Sequence, residues 1–133
     1  MNETGLITIE SKHSFAETLK RLDSALQSAK MTVFAVFDHA AAASEAGLQL
    51  RPTTVLAFGN PSAGTALMQA NQLAGIDLPL KILVWEDQGG IAKLTHSNPS
   101  TLAERYSLGT KVAPQIAGMA KLLVSITEAA AGG

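Results

Sequence analysis

The sequence contains no cysteine, which removes disulfides, thiol nucleophiles, Cys-ligated zinc and iron–sulfur clusters from consideration. It leaves the redox compartment open, because a cysteine-free chain suits either side of a membrane. Charge is sparse as well: 16% of residues are charged, ten basic against eleven acidic, for a formal net charge of -1. Neither sign forms a run longer than two residues. Nucleic-acid grooves and polybasic membrane patches both need clustered positive charge, so no nucleic acid and no membrane is expected as a partner. Aromatic residues make up 5%, and Trp85 and Tyr106 are too isolated to suggest a base-stacking platform. The longest apolar run, Met31 to Phe37 broken only by Thr32, is far too short for a membrane span. The opening Met1-Asn2-Glu3-Thr4 lacks the basic and apolar regions of a secretory signal, so a cytoplasmic location is expected.

What is present fits a single domain over residues 1–133. A chain of this length with 47% hydrophobic residues can bury one core without a disulfide or structural metal. No repeat, low-complexity linker or shift in composition marks a boundary. Ile7 and Ile9 alternate with Thr8 and Glu10, the pattern of a half-buried strand. Ser14 and Glu17 have capping-box spacing, and Phe15, Leu19, Leu22, Leu26 and Ala29 form one stripe on a helix of about four turns. Met31 to Phe37 is rich in β-branched and aromatic residues and reads as a strand covered on both faces. Asp38 is a good N-cap for a two-turn helix over His39 to Ala46, closed by Gly47.

A third strand runs from Thr53 to Phe58 and is cut off by Gly59-Asn60-Pro61. Pro61 suits the first turn of a helix expected to reach Leu73, with Ala63, Leu67, Ala70 and Ala74 inward and Gly75 as its end. Leu80 to Trp85 and Ile91 to His96 flank Gly89-Gly90 and predict an antiparallel hairpin. A short helix over Ser100 to Tyr106 follows. A last helix over about 114–128 carries Ile116, Met119, Leu123 and Ile126, with 129–133 as a frayed tail. The strand order cannot be derived from these patterns.

Two strand ends run directly into helix starts, and each places polar groups beside free backbone amides. At Gly59-Asn60-Pro61-Ser62-Ala63-Gly64-Thr65 the glycine permits close backbone approach, the helix dipole favours negative charge, and Ser62 and Thr65 add hydroxyls. The same residues also serve an ordinary helix start, and the stretch is neither a Walker loop nor a dinucleotide fingerprint. At Asp38-His39 a carboxylate adjoins an imidazole, a pair able to supply acid, base or anchor, although capping alone would account for Asp38. Asp77 and Lys81 flank Leu78-Pro79; Lys81 reads either as a strand-edge charge or as a cation entering a site beside Asp38 or Glu86. With no His-x-x-x-His and no cysteine, no metal site is expected.

Phe37-Asp38-His39-Ala40, Leu50-Arg51-Pro52-Thr53, Phe58-Gly59-Asn60-Pro61 with Gly64-Thr65, Asp77-Leu78-Pro79-Leu80-Lys81 and Val84-Trp85-Glu86-Asp87 occur together in this order. The set resembles the prokaryotic family catalogued as domain of unknown function 302, over most of the chain to about residue 106. The resemblance implies an α+β fold: a single sheet of about five strands with helices packed against it, of β-α-β type and similar to the TBP-like class. It also implies a homodimer, as does a mean hydropathy of +0.19. No activity, substrate or cofactor comes with it. The family's characteristic positions fall on Asp38, His39, Asn60, Pro61, Asp77 and Lys81.

Three functions compete. The first is a module binding a small polar or anionic ligand, with Asn60, Ser62, Thr65, Lys81 and Asp77 as its contacts. The second is an enzyme with Asp38 and His39 as its acid–base pair. The third is a homo-oligomeric subunit without a ligand. A common cleft holding Asp38, His39, Asn60 and Lys81 would favour the first two, and a flat surface there the third.

Overall fold

Local signals start most elements where the sequence places them. In the computed structural model, which describes residues 4–132, Ser14 Oγ accepts the Glu17 N–H at 3.1 Å and opens the first helix. In chain order the elements are β1 (Leu6–Glu10), α1 (Phe15–Ser28), β2 (Thr32–Asp38), α2 (His39–Glu45), β3 (Thr53–Gly59) and α3 (Pro61–Ala70). They continue with β4 (Leu80–Glu86), β5 (Ala92–Ser97), α4 (Pro99–Arg105) and α5 (Ala113–Ala131). Two 3-10 turns, Gln72–Ile76 and Thr110–Val112, precede β4 and α5.

The strands form one sheet in the order β1-β5-β4-β3-β2, with every neighbouring pair antiparallel. The α+β class with a five-stranded sheet is therefore as expected, and the order is supplied by the structure. Leu56 pairs with Ile82 and Val84 with Leu94, so these side chains share a face. They are buried together with Leu22 and Leu26 of α1 and Leu123 and Ile126 of α5. A second cluster holds Leu67 of α3, Leu102 of α4 and Met119 of α5 around Ala74, Leu108 and Val112. α5 thus belongs to both clusters, its C-terminal half against the sheet and its N-terminal half against α3 and α4.

Three expectations are corrected. Met31 to Phe37 contains a strand, but it lies at a sheet edge and is not covered on both faces: Phe34, Val36 and Phe37 are 52%, 55% and 54% exposed. A register shift between Val33 and Ala35 marks a bulge at Phe34. Composition identified the strand but carries no information on how many neighbours it has. α3 stops at Ala70 rather than Leu73, because Asn71 turns extended and its Oδ1 accepts the Leu73 N–H at 3.0 Å, starting the 3-10 turn. Gly75 lies inside that turn.

Finally, α5 continues through Ala131 where fraying from Ala129 was expected. Ala130 and Ala131 are buried in the main cluster, and the Ala131 carbonyl accepts the Lys12 N–H at 2.8 Å. Small side chains let this last turn approach the segment before α1. Gly133 lies outside the described residues. No helix among the described residues is long and apolar enough to cross a membrane.

Candidate functional site

The junction from β3 into α3 lies beside a cavity of about 600 Å³, within the range of small-molecule sites. Asn60 has extended backbone and caps α3, its Oδ1 accepting the Ser62 N–H at 2.9 Å, and Pro61 occupies the first turn. Phe58 and Leu80, paired across β3 and β4, line the cavity beside Gly59. Ala63, Gly64, Thr65 and Met68 of α3 form one wall, and Gln115, Gly118, Met119 and Leu122 of α5 another. Met31, Phe34 and Gly75 complete it with Leu78-Pro79, whose peptide bond is cis.

Small residues keep this space open. A Cβ on Gly59 would lie 3.5 Å from the Phe34 ring, and one on Gly75 would crowd Met68 Sδ at 3.2 Å. A Cβ on Gly118 would meet nothing within 4 Å, so that position faces open space. No lining residue is charged. Three of the chain's four methionines, Met31, Met68 and Met119, contribute to the lining, and their flexible thioethers allow a surface to adapt in shape. The Gln115 Oε1 is buried without a hydrogen-bond partner.

The sequence-predicted site residues are dispersed over this framework. Asn60 and Thr65 line the cavity; Ser62 is exposed and does not. Lys81 pairs with Ala57, on the face of β4 opposite Leu80 and Ile82, and its Nζ donates to the Pro79 carbonyl at 3.1 Å. Asp77 faces α4: its Oδ2 accepts from Arg105 Nη1 at 2.6 Å and from the Tyr106 hydroxyl. The Tyr106 hydrogen bond, more than Arg105, holds the Asp77 carboxyl below the usual aspartate range against a smaller opposing effect of burial. Asp77 in turn raises the Tyr106 phenol. Asn71 Nδ2 donates to the Tyr106 carbonyl at 2.9 Å, so three hydrogen bonds tie the two flanks of the 3-10 turn to the end of α4.

Asp38 and His39 lie elsewhere. Thr32 pairs with Gly59 and Asp38 with Thr54, which puts Asp38 at the opposite end of the β2–β3 ladder from the cavity, about 20 Å away at the usual strand rise. Asp38 Oδ1 accepts the Ala41 N–H at 2.9 Å, the cap expected of it, and His39 is exposed. Asp38, His39, Asn60 and Lys81 therefore do not share one concave surface. His96 is buried, with Nδ1 2.9 Å from the Ser97 carbonyl. Among the described residues no three histidine, aspartate or glutamate side chains come together as a metal set.

Sequence reasoning missed the α5 wall. Met119 was legible as a core position and Leu122 and Gln115 as neighbouring helix positions, but nothing local said that this helix packs across from α3. It also missed Tyr106 and Arg105 as the partners of Asp77, which lie 29 and 28 residues away in sequence.

Comparison with known proteins places the chain among relatives. It is 45% identical over 130 residues to a protein named fluoride-specific ion channel FluC 1 from Brucella suis biovar 1 (strain 1330), a match covering 98% of this chain and 51% of that protein. It is equally similar to one named fluoride-specific ion channel FluC 2 from Brucella melitensis biotype 1, covering 48% of it. The chain thus spans about half the length of the curated relatives it matches. A crystal structure described as an uncharacterized conserved protein DUF302 from Bacillus stearothermophilus superposes with a TM-score of 0.84 at 23% identity, covering 95% of this chain and 98% of that one. That likeness establishes the fold. The family model described as "Domain of unknown function DUF302" matches residues 7–126, and the chain belongs to that family.

Proposed function

We propose that the chain is a ligand-binding domain whose site is the cavity between α3, the Leu78-Pro79 segment and α5. The observation that carries this reading is the cavity itself, about 600 Å³ between two packed helices and the end of a sheet, walled by Gly59, Gly64, Gly75 and Gly118. Close packing would fill such a space in an ordinary core. The acid–base alternative loses support because Asp38 and His39 stand at the far end of β2. Gly118→Leu should fill the cavity and improve helix propensity in α5. A small-molecule thermal-shift screen, with native mass spectrometry of the purified protein, should find compounds that stabilise the unmodified chain and not Gly118→Leu. Equal stabilisation of both would refute the site.

Self-association belongs to the same reading. Phe34, Val36 and Phe37 on the edge strand β2, with Leu48 and Leu50 also exposed, give an apolar strip of the kind that second copies cover. Sedimentation should show a dimer that Val36→Lys dissociates; a monomer of 13.8 kDa at micromolar concentration would remove the dimer and leave the cavity untouched.

Relatives about twice as long as this chain support a second reading, in which a domain of this kind acts as the companion of a fluoride channel. It rests on 45% identity to about half of proteins bearing that name. Fluoride efflux from liposomes holding a fluoride channel should change when this chain is added, and unchanged efflux would dismiss the companion role.

A further inference from the structure

Resting on the proposal that the cavity binds a ligand, we infer that the ligand is an uncharged, mainly apolar organic molecule bearing one hydrogen-bond donor, which Gln115 accepts. The lining has no acidic or basic side chain, so a charged group entering it would lose water without gaining a counter-charge. At the α3 N-terminus Pro61 has no N–H and the Ser62 N–H is already taken by Asn60 Oδ1, so an anion there would have only the Ala63 and Gly64 N–H groups and no cationic side chain. Lys81, the counter-charge expected from sequence, lies on the other face of β4.

The polar requirement comes from α5. Gln115 lines the cavity, and its Oε1 is buried without a partner, a state that folded proteins rarely leave uncorrected. The terminal torsion of glutamine is soft, so the carboxamide can turn to present this oxygen to a hydroxyl or amine N–H. The methionines then fit the apolar body of the molecule without demanding one shape.

Three matched probes separate charge from donor. N-phenyl-1-naphthylamine is neutral with one N–H; 1-phenoxynaphthalene replaces that N–H by an ether oxygen; 8-anilino-1-naphthalenesulfonate adds a negative charge. Fluorescence titration of the full chain should give tightest binding for the amine, with the ether weaker by about tenfold, the size of one net hydrogen bond, and the sulfonate weaker by at least as much. Gln115→Met, close to glutamine in size but without the acceptor, should bring the amine and ether to equal affinity. Gly118→Leu should abolish binding of all three, with circular dichroism confirming that each variant is folded.

If the sulfonate binds tightest and Gly118→Leu abolishes it, the cavity remains the site and the uncharged class is wrong. Amine and ether binding alike in the unmodified chain would overturn the role of Gln115. Failure of all three probes, or binding that Gly118→Leu leaves intact, would overturn both this inference and the cavity as the site.

Discussion

The two ends of the β2–β3 ladder are written in the same local grammar and become different objects. At one end Asp38 caps α2; at the other Asn60 caps α3, each through a side-chain oxygen 2.9 Å from a first-turn N–H. α2 buries none of its residues, whereas α3 buries Leu67 and walls a cavity. Caps and glycines decide where a helix begins. Whether the helix start becomes a site depends on what the rest of the chain packs across from it, and only α3 has α5 opposite.

The contrast can be broken most forcefully in the packing. Leu67→Ala should lower stability by about 3 kcal/mol in a chemical denaturation curve, because it opens a hole between α3 and α5. Leu48→Ala, on the exposed turn after α2, should cost under about 0.5 kcal/mol. Comparable losses at the two positions would mean that α2 is packed as firmly as α3.

A smaller effect tests how the cavity end is tied down. Tyr106→Phe should lower the denaturation midpoint by less than Leu67→Ala does, because it removes one hydrogen bond to a charged carboxylate and leaves the packing in place. The pH dependence follows from the sign of the shift. Asp77 is held below its ordinary value of 3.8, first by Tyr106, so its contribution is complete above that value and is lost as pH falls through the lower folded one. Melting temperatures between pH 2 and pH 5 should therefore fall less steeply for Asp77→Asn than for the unmodified chain. Parallel curves would show that Asp77 gains nothing from its partners.

The smallest expected effect sharpens the other end. Asp38→Asn should be nearly neutral, because asparagine caps as well as aspartate, and Asp38→Ala should cost about 1 kcal/mol. Neither should alter probe binding at the cavity. A clear shift in the NMR titration of His39 on Asp38→Asn would restore a charged role for the carboxylate and weaken its description as a cap.

Legibility in the sequence followed the range of the interactions. The Ser14–Glu17 cap, the Leu22 and Leu26 stripe, the β4–β5 hairpin and the Pro61 helix start were all readable, because each is settled within a few neighbouring residues. The edge position of β2 was not, since a β-branched run looks the same with one neighbour or two. The candidate site was half readable. Asn60, Pro61 and Thr65 lie on the cavity, but Lys81 falls on the wrong face by the two-residue alternation of β4, and Asp77 is taken up by residues of α4.

By itself the sequence determined the elements and their ends, because helix periodicity, caps, prolines and glycines act through contacts of short range. It also determined the absence of thiol chemistry, and the family follows from the order of its motifs. Tertiary structure alone decided that the strands lie in the order β1-β5-β4-β3-β2, that β2 is left at an edge, and that Gln115 and Gly118 meet the β3–α3 junction across an uncharged cavity. Those outcomes depend on which distant apolar faces bury one another best, and that free energy belongs to the whole chain and to no single segment.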